Sequence, residues 1–181
     1  MNKIERQEQQ LMQHIQQKRW DECLQLAEQL RKETGNKRLI QLAEQAYCAV
    51  LADPERRDDR CALQGLASLY YRDYMVRFTS RPFGDLPYGK QESFQKARDT
   101  LERLLEKGRQ PELLYRYAQI LYRNAKDGQG QGDFAALCRQ KEQAYAVYDE
   151  TVSLLEKWGA ADKGCTAAPA TACPAAVWNR F

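Results

Sequence analysis

The stretch DDRCALQGLASLYYRDYMVRF, residues 58–78, decides the fold class. Its large residues Leu63, Leu66, Tyr70, Tyr74 and Phe78, with Ala67 among them, recur at steps of three and four. That is the period of one helix face and not the alternation of a strand. The same rhythm extends in both directions along the chain. Leu39, Leu42, Ala43, Ala46 and Val50 make one face of a helix over 37–52, and Ile40, Tyr47 and Leu51 make a second, so that helix lies between neighbours. Upstream, Ile4, Leu11, Met12 and Ile15 stripe a Gln-rich helix over 3–17. Trp20, Cys23, Ala27 and Leu30 stripe another over 20–33, which Thr34-Gly35-Asn36 stops.

Downstream, the spacing predicts a helix over 91–107 on Phe94, Ala97, Leu101, Leu104 and Leu105. A sixth opens at Pro111, a favoured first-turn position, with Leu114, Tyr117, Ala118, Leu121 and Ala125. A seventh, over 134–158, carries Leu137, Cys138, Ala144, Tyr145, Tyr148, Val152 and Leu155 as its expected buried face. Between the fourth and fifth helices, residues 79–89 hold two prolines and two glycines, which forbid a continuous helix. A connection this long is more often functional than a short one. Residues 159–181 are Ala-rich, nearly uncharged and without period, and read as a flexible tail ending in the aromatic run Val177-Trp-Asn-Arg-Phe181. Residues 1–158 are then one helical domain.

Three helices share a spacing: Leu63-x-x-Leu66-Ala67-x-x-Tyr70, Leu114-x-x-Tyr117-Ala118-x-x-Leu121 and Leu39-x-x-Leu42-Ala43-x-x-Ala46. Two others share a second: Trp20-x-x-Cys23-x-x-x-Ala27-x-x-Leu30 and Phe94-x-x-Ala97-x-x-x-Leu101-x-x-Leu104. These resemble the first and second helices of a tetratricopeptide repeat, over about residues 8 to 155. The resemblance implies an all-α, right-handed stack of antiparallel helical hairpins, an α-solenoid, with a groove lined by its first helices. In such arrays no single hairpin buries its own apolar face. The match departs from the family in period: first-helix positions fall at 39, 63 and 114, not about 34 residues apart. The helix over 37–52 also lacks a second helix of its own to follow it.

Chemistry is sparse. His14 is the only histidine of the chain and sits on a polar helix. There is no C-x-x-C pair, no H-E-x-x-H, no phosphate-cradling glycine loop and no G-x-S-x-G. Four of the six cysteines, Cys23, Cys48, Cys61 and Cys138, lie in helical patterns and read as small buried hydrophobes in a reducing compartment. Cys165 and Cys173 fall in the tail. Asp58 and Asp59, or Asp21 and Glu22, stand near helix starts, where they offset the helix dipole. No catalytic residue, cofactor or metal is implied. The 28 basic and 25 acidic residues nearly balance, which disfavours a dedicated nucleic-acid binder. No run of about 18 apolar residues exists to cross a membrane. With no signal-like leader, the expected location is cytoplasmic.

Tyrosine and arginine are the residue types that most often anchor binding surfaces. Tyr71, Tyr115 and Tyr122 lie off the main apolar stripes. Tyr115 and Tyr122 are seven apart and share a face, with Arg116 and Arg123 on the adjacent one. Arg72, Arg77 and Arg81 surround the tyrosines where the fourth helix meets the 79–89 loop. The expected function is a non-catalytic adaptor or scaffold that binds another protein or peptide. The expected partner surface is Tyr71, Arg72, Arg77, Arg81, Phe83, Tyr88, Tyr115, Tyr122 and Arg123. Its cations favour an acidic segment or a terminal carboxylate. Nucleic-acid binding, and oligomerisation through the Gln-rich first helix, are the alternatives.

Overall fold

The computed structural model describes residues 2–32, 36–79, 86–128 and 133–162, and over them the chain is all-α. The described residues form seven helices: α1 Lys3–Gln16, α2 Trp20–Lys32, α3 Lys37–Ala52, α4 Arg60–Met75, α5 Lys90–Lys107, α6 Pro111–Asp127 and α7 Phe134–Asp162. Their starts follow local chemistry. Asn2 and Glu5 form a capping box on α1, and Asn36 and Asp59 accept backbone amides at the heads of α3 and α4. Pro111 supplies the first turn of α6. The fourth helix ends earlier than its spacing predicts. Its α-form stops at Met75, and Val76–Phe78 tighten into a 3-10 turn.

Packing runs in chain order. The most extensive pairings are α2 with α3, α4 with α5 and α6 with α7. Among the described residues no helix touches one more than two places away. Contact also joins α1 to α3, α2 to α4, and α4 to α6. A 34-residue repeat does not appear. The helices run from 13 residues in α2 to 29 in α7, and α3, which carries first-helix spacing, packs chiefly on the α2 ahead of it.

The core is a continuous row of side chains shared by successive helices, among them Leu30, Leu42, Leu63, Leu69, Leu101, Leu114 and Leu121. Two expectations about it need correcting. Cys23 is buried, but Cys48 and Cys61 are exposed, because they fall on the outer faces of α3 and α4. The inner stripe of α7 is Ala144, Val147 and Thr151, with Leu154 half-buried after them. Tyr145, Val152 and Leu155, expected inside, lie one residue out of phase with that stripe and are exposed. Nor does α7 stop at residue 158; it continues through Gly159 to Asp162.

The seam between α3 and α4 depends on a missing side chain. A Cβ at Gly65 would lie 2.3 Å from the Tyr47 ring, which is itself 2% exposed. Tyr47 Oη donates to Glu28 on α2 at 3.2 Å, so the ring is pinned at its far end. Gly65→Ala therefore gains up to about 1 kcal/mol of helix propensity and loses more through overpacking, about 1–3 kcal/mol. Urea unfolding should show net destabilisation, and Gly65→Ala combined with Tyr47→Phe should not restore the wild-type midpoint, since the clash involves ring carbons.

Candidate functional site

Because α2, α4 and α6 touch in sequence, their outward stripes lie side by side. On α4 the half-buried positions are Gln64, Ser68, Tyr71, Arg72 and Met75. On α6 they are Tyr115, Arg116, Gln119, Tyr122 and Arg123, with Asn124 turned toward Gln140 of α7. Side chains from the two helices meet. Tyr71 Oη donates to Gln119 Oε1, and the Arg116 guanidinium stands 5.4 Å from the Tyr71 ring. Arg116 also donates to Ser68 Oγ at 3.0 Å and to Glu112 at 2.7 Å. The seventh helix extends the surface. Tyr148 packs edge-on against Tyr115 at 5.9 Å, and Tyr145 lies 6.0 Å from Tyr122. The structure thus brings Tyr71, Tyr115, Tyr122 and Arg123 together, and adds Arg116, Gln119, Tyr145 and Tyr148.

The face is electrostatically uneven. Burial pushes the Tyr71 phenol up to about 12, against the pull of Arg116. Burial, then Tyr115 and Tyr71, push Tyr148 up to about 12 as well. Both rings stay neutral near neutrality and keep their hydroxyl donors. Arg123 stacks 5.8 Å from the Phe78 ring and makes no ion pair among the described residues. Arg72 makes neither hydrogen bond nor ion pair among them. Burial, and then the charge of Arg31 on α2, pull the Arg72 guanidinium below its ordinary pKa. Two half-buried cations, Arg123 near the tyrosines and Arg72 toward Arg31 and Glu28 of α2, are thus without an ion pair among the described residues.

Two residues expected on this surface are held within the fold instead. Arg77 donates to Asp73 at 3.1 Å, to the Tyr88 carbonyl at 2.6 Å and to Ser93 Oγ at 3.1 Å. Asp73 is buried and also accepts from Ser93 Oγ. Tyr88 is buried, and its hydroxyl donates to Glu44. Glu44 further accepts from Tyr70 at 2.6 Å and from Lys96 at 2.7 Å, and Lys96 stands 4.1 Å from the Tyr88 ring. These groups lash the chain before α5 onto α3 and α4. Arg81 and Phe83 lie outside the described residues. Spacing could not find this knot, because Glu44, Asp73, Ser93 and Lys96 look like ordinary polar positions until the helices meet.

Elsewhere, an open cleft of about 340 Å³ lies between α5, α6 and the start of α7, lined by Arg98, Glu102, Tyr117, Leu137 and Gln143 among others. Its polar groups satisfy one another: Tyr117 Oη donates to Glu102 at 2.7 Å and accepts from Gln143 at 3.2 Å. Among the described residues no three His, Cys, Asp or Glu side chains gather as a metal site, and no helix is long and apolar enough to cross a membrane. His14 is half-buried, with Nε2 3.4 Å from Gln10. Compared with family models, curated proteins and solved structures, the chain finds no match.

The Glu44 knot has a pH signature. Burial opposes ionisation of its carboxyl, but donation from Lys96, Tyr70 and Tyr88 outweighs burial and holds the pKa below its ordinary value. A carboxyl whose folded pKa is depressed contributes stability that is complete above the unfolded value, about 4.3. That stability is lost as pH falls through the folded value. Glu44→Gln should cost about 1–3 kcal/mol at pH 7, less than a fully buried pair because Lys96 is 31% exposed. Denaturation followed from pH 7 to pH 3 should show a smaller loss of stability in the variant than in the wild type.

Proposed function

We propose that the tyrosine and arginine face of α4, α6 and α7 binds an acidic segment of another protein, making the chain a non-catalytic adaptor or scaffold. What carries the reading is Arg123 near the clustered rings and Arg72 toward Arg31 and Glu28 of α2, two half-buried guanidiniums with no ion pair among the described residues. A guanidinium held partly out of water loses hydration that an incoming carboxylate replaces with charge-assisted, two-pronged hydrogen bonds. The tyrosines near Arg123 supply large, stiff contact area. Such a site needs no chemistry of its own, which agrees with the scarcity of acid, base and metal-ligating groups in the sequence.

The layering supports the same reading. Helix α4 touches both α2 and α6, while among the described residues α1 touches α3 but α3, α5 and α7 do not touch one another. From α3 onward one layer is thus closer than the other, such an array curves toward its closer layer, and we infer a shallow groove on the α4 and α6 side, as in a helical-repeat array. We place the chain in the cytoplasm, where Cys23, Cys48, Cys61 and Cys138, which form no disulfide here, stay reduced.

The test uses fluorescence anisotropy with a labelled synthetic peptide rich in Glu and Leu. Arg72→Ala and Arg123→Ala should each weaken binding by about tenfold or more, and affinity should fall with added salt. Arg57→Ala, at an exposed position between α3 and α4, should leave it unchanged. Equal weakening by all three variants, or equal affinity for a Lys-rich peptide, contradicts the reading.

A further inference from the structure

The seventh helix is apolar on two sides, and among the described residues one side is packed while the other is only partly covered. Its inner stripe, Ala144, Val147, Thr151 and Leu154, packs toward α6. The second stripe, one residue on, starts at Tyr145 beside Tyr122 and continues through half-buried Tyr148 to Val152 and Leu155. Tyr145 is 50% exposed, Val152 53% and Leu155 36%, and Trp158, where the inner stripe runs on, is 59% exposed. A helix with two apolar stripes is built to lie between two neighbours. Of the described helices, only α6 packs on α7.

Asp149 and Glu156 flank the open stripe, four residues after Tyr145 and Val152, so they rise from the same side of the helix. Neither carboxylate is in an ion pair among the described residues. A fitting occupant is therefore apolar, short and cationic. Residues 163–181 follow α7 directly, and they carry Val177, Trp178 and Phe181 around Arg180. From residue 162 to Trp178 the chain can span roughly 50 Å at about 3.3 Å per residue. The stripe from Tyr145 to Trp158 is only about 20 Å long, at 1.5 Å per helical residue. Doubling back is thus within reach, and lengthening such a tether adds little entropy cost. The tyrosine and arginine face is the wrong home for this segment, because Arg180 would meet Arg116 and Arg123 there.

We propose that residues 177–181 of the same chain dock on the open stripe of α7. Trp178 and Phe181 lie over Tyr145, Val152, Leu155 and Trp158, and Arg180 pairs with Asp149 or Glu156. The docking completes the layer that α7 lacks; it borders the face proposed to bind a partner at Tyr145, which packs on Tyr122, but the exchange experiment reads the tail with no partner present.

Hydrogen exchange on the full chain tests it. Amides of residues 145–158 should exchange at least about tenfold faster in Trp178→Ser/Phe181→Ser than in the wild type. Arg180→Glu alone should also accelerate exchange, and Arg180→Glu joined to Asp149→Lys and Glu156→Lys should restore protection. Light scattering should give a monomer mass for both the wild type and the serine variant. Identical exchange in the wild type and the serine variant overturns the docking. Failure of the charge swap to restore protection overturns the choice of occupant. A wild-type dimer that dissociates in the serine variant assigns the stripe to a second copy and overturns docking within one chain.

Discussion

The close approach of α3 and α4 at Gly65 is the constraint on which the rest of the structure depends. The Tyr47 ring lies where a Cβ on Gly65 would stand, so the two helices meet nearer than any larger residue allows. The fourth helix is then the hub: it touches α2, α3, α5 and α6. Residues buried around most of its circumference, from Ala62 to Tyr74, hold it in that position. Only the stripe through Ser68, Tyr71, Arg72 and Met75 is left partly open. Moving α4 outward at Gly65 would separate Tyr71 from Gln119 and Arg116, and the surface would lose its continuity.

Polar groups do different work on the two sides of this hub. Toward α3 and α5, Glu44 and Asp73 gather donors from four chain segments into partly or wholly buried knots. Such networks stabilise only when their groups are matched, and removing one member strands the others. Toward α2 and α6, Arg72 and Arg123 remain without an ion pair among the described residues, and Tyr71 and Tyr148 keep their hydroxyls neutral. The first arrangement fixes where the helices sit. The second leaves interaction capacity at the surface, which is the physical difference between Arg77, turned into the fold, and Arg123, stacked on Phe78 with its charge unmatched.

Much of the architecture is legible in the sequence because apolar period reports helices directly. The spacing of Leu63, Leu66, Ala67 and Tyr70 identifies α4, and Pro111 marks the start of α6 to the residue. The seven-residue step from Tyr115 to Tyr122 places both on one side of α6, and Tyr71 joins them once α4 and α6 touch. Other features escape because they are not periodic. Glu44 meets Lys96 across 52 positions and Tyr88 across 44, and no local pattern records that. Phase is the other blind spot. On α7, Tyr145, Tyr148, Val152 and Leu155 form as good a stripe as Ala144, Val147, Thr151 and Leu154, and the larger residues invite the choice of the first. Packing against α6 selects the smaller set, since small residues let the helices approach, and it turns the aromatic set outward. The periodicity identified the helices, but the unequal helix lengths and the pairing of α3 with α2 leave the tetratricopeptide-like repeat without support.

Helices α4, α6 and α7 present one continuous surface, while α1 and α7 stay apart. Nuclear Overhauser spectra with tyrosine rings and methyl groups selectively labelled read this directly. Cross-peaks between the Tyr115 and Tyr148 rings and between Tyr122 and Tyr145 are expected, with none linking Leu11 or Ile15 of α1 to Val147 or Leu154 of α7. Contacts between α1 and α7, together with missing cross-peaks among those tyrosines, would mean that the helices close around a common axis, and the surface described here would not exist.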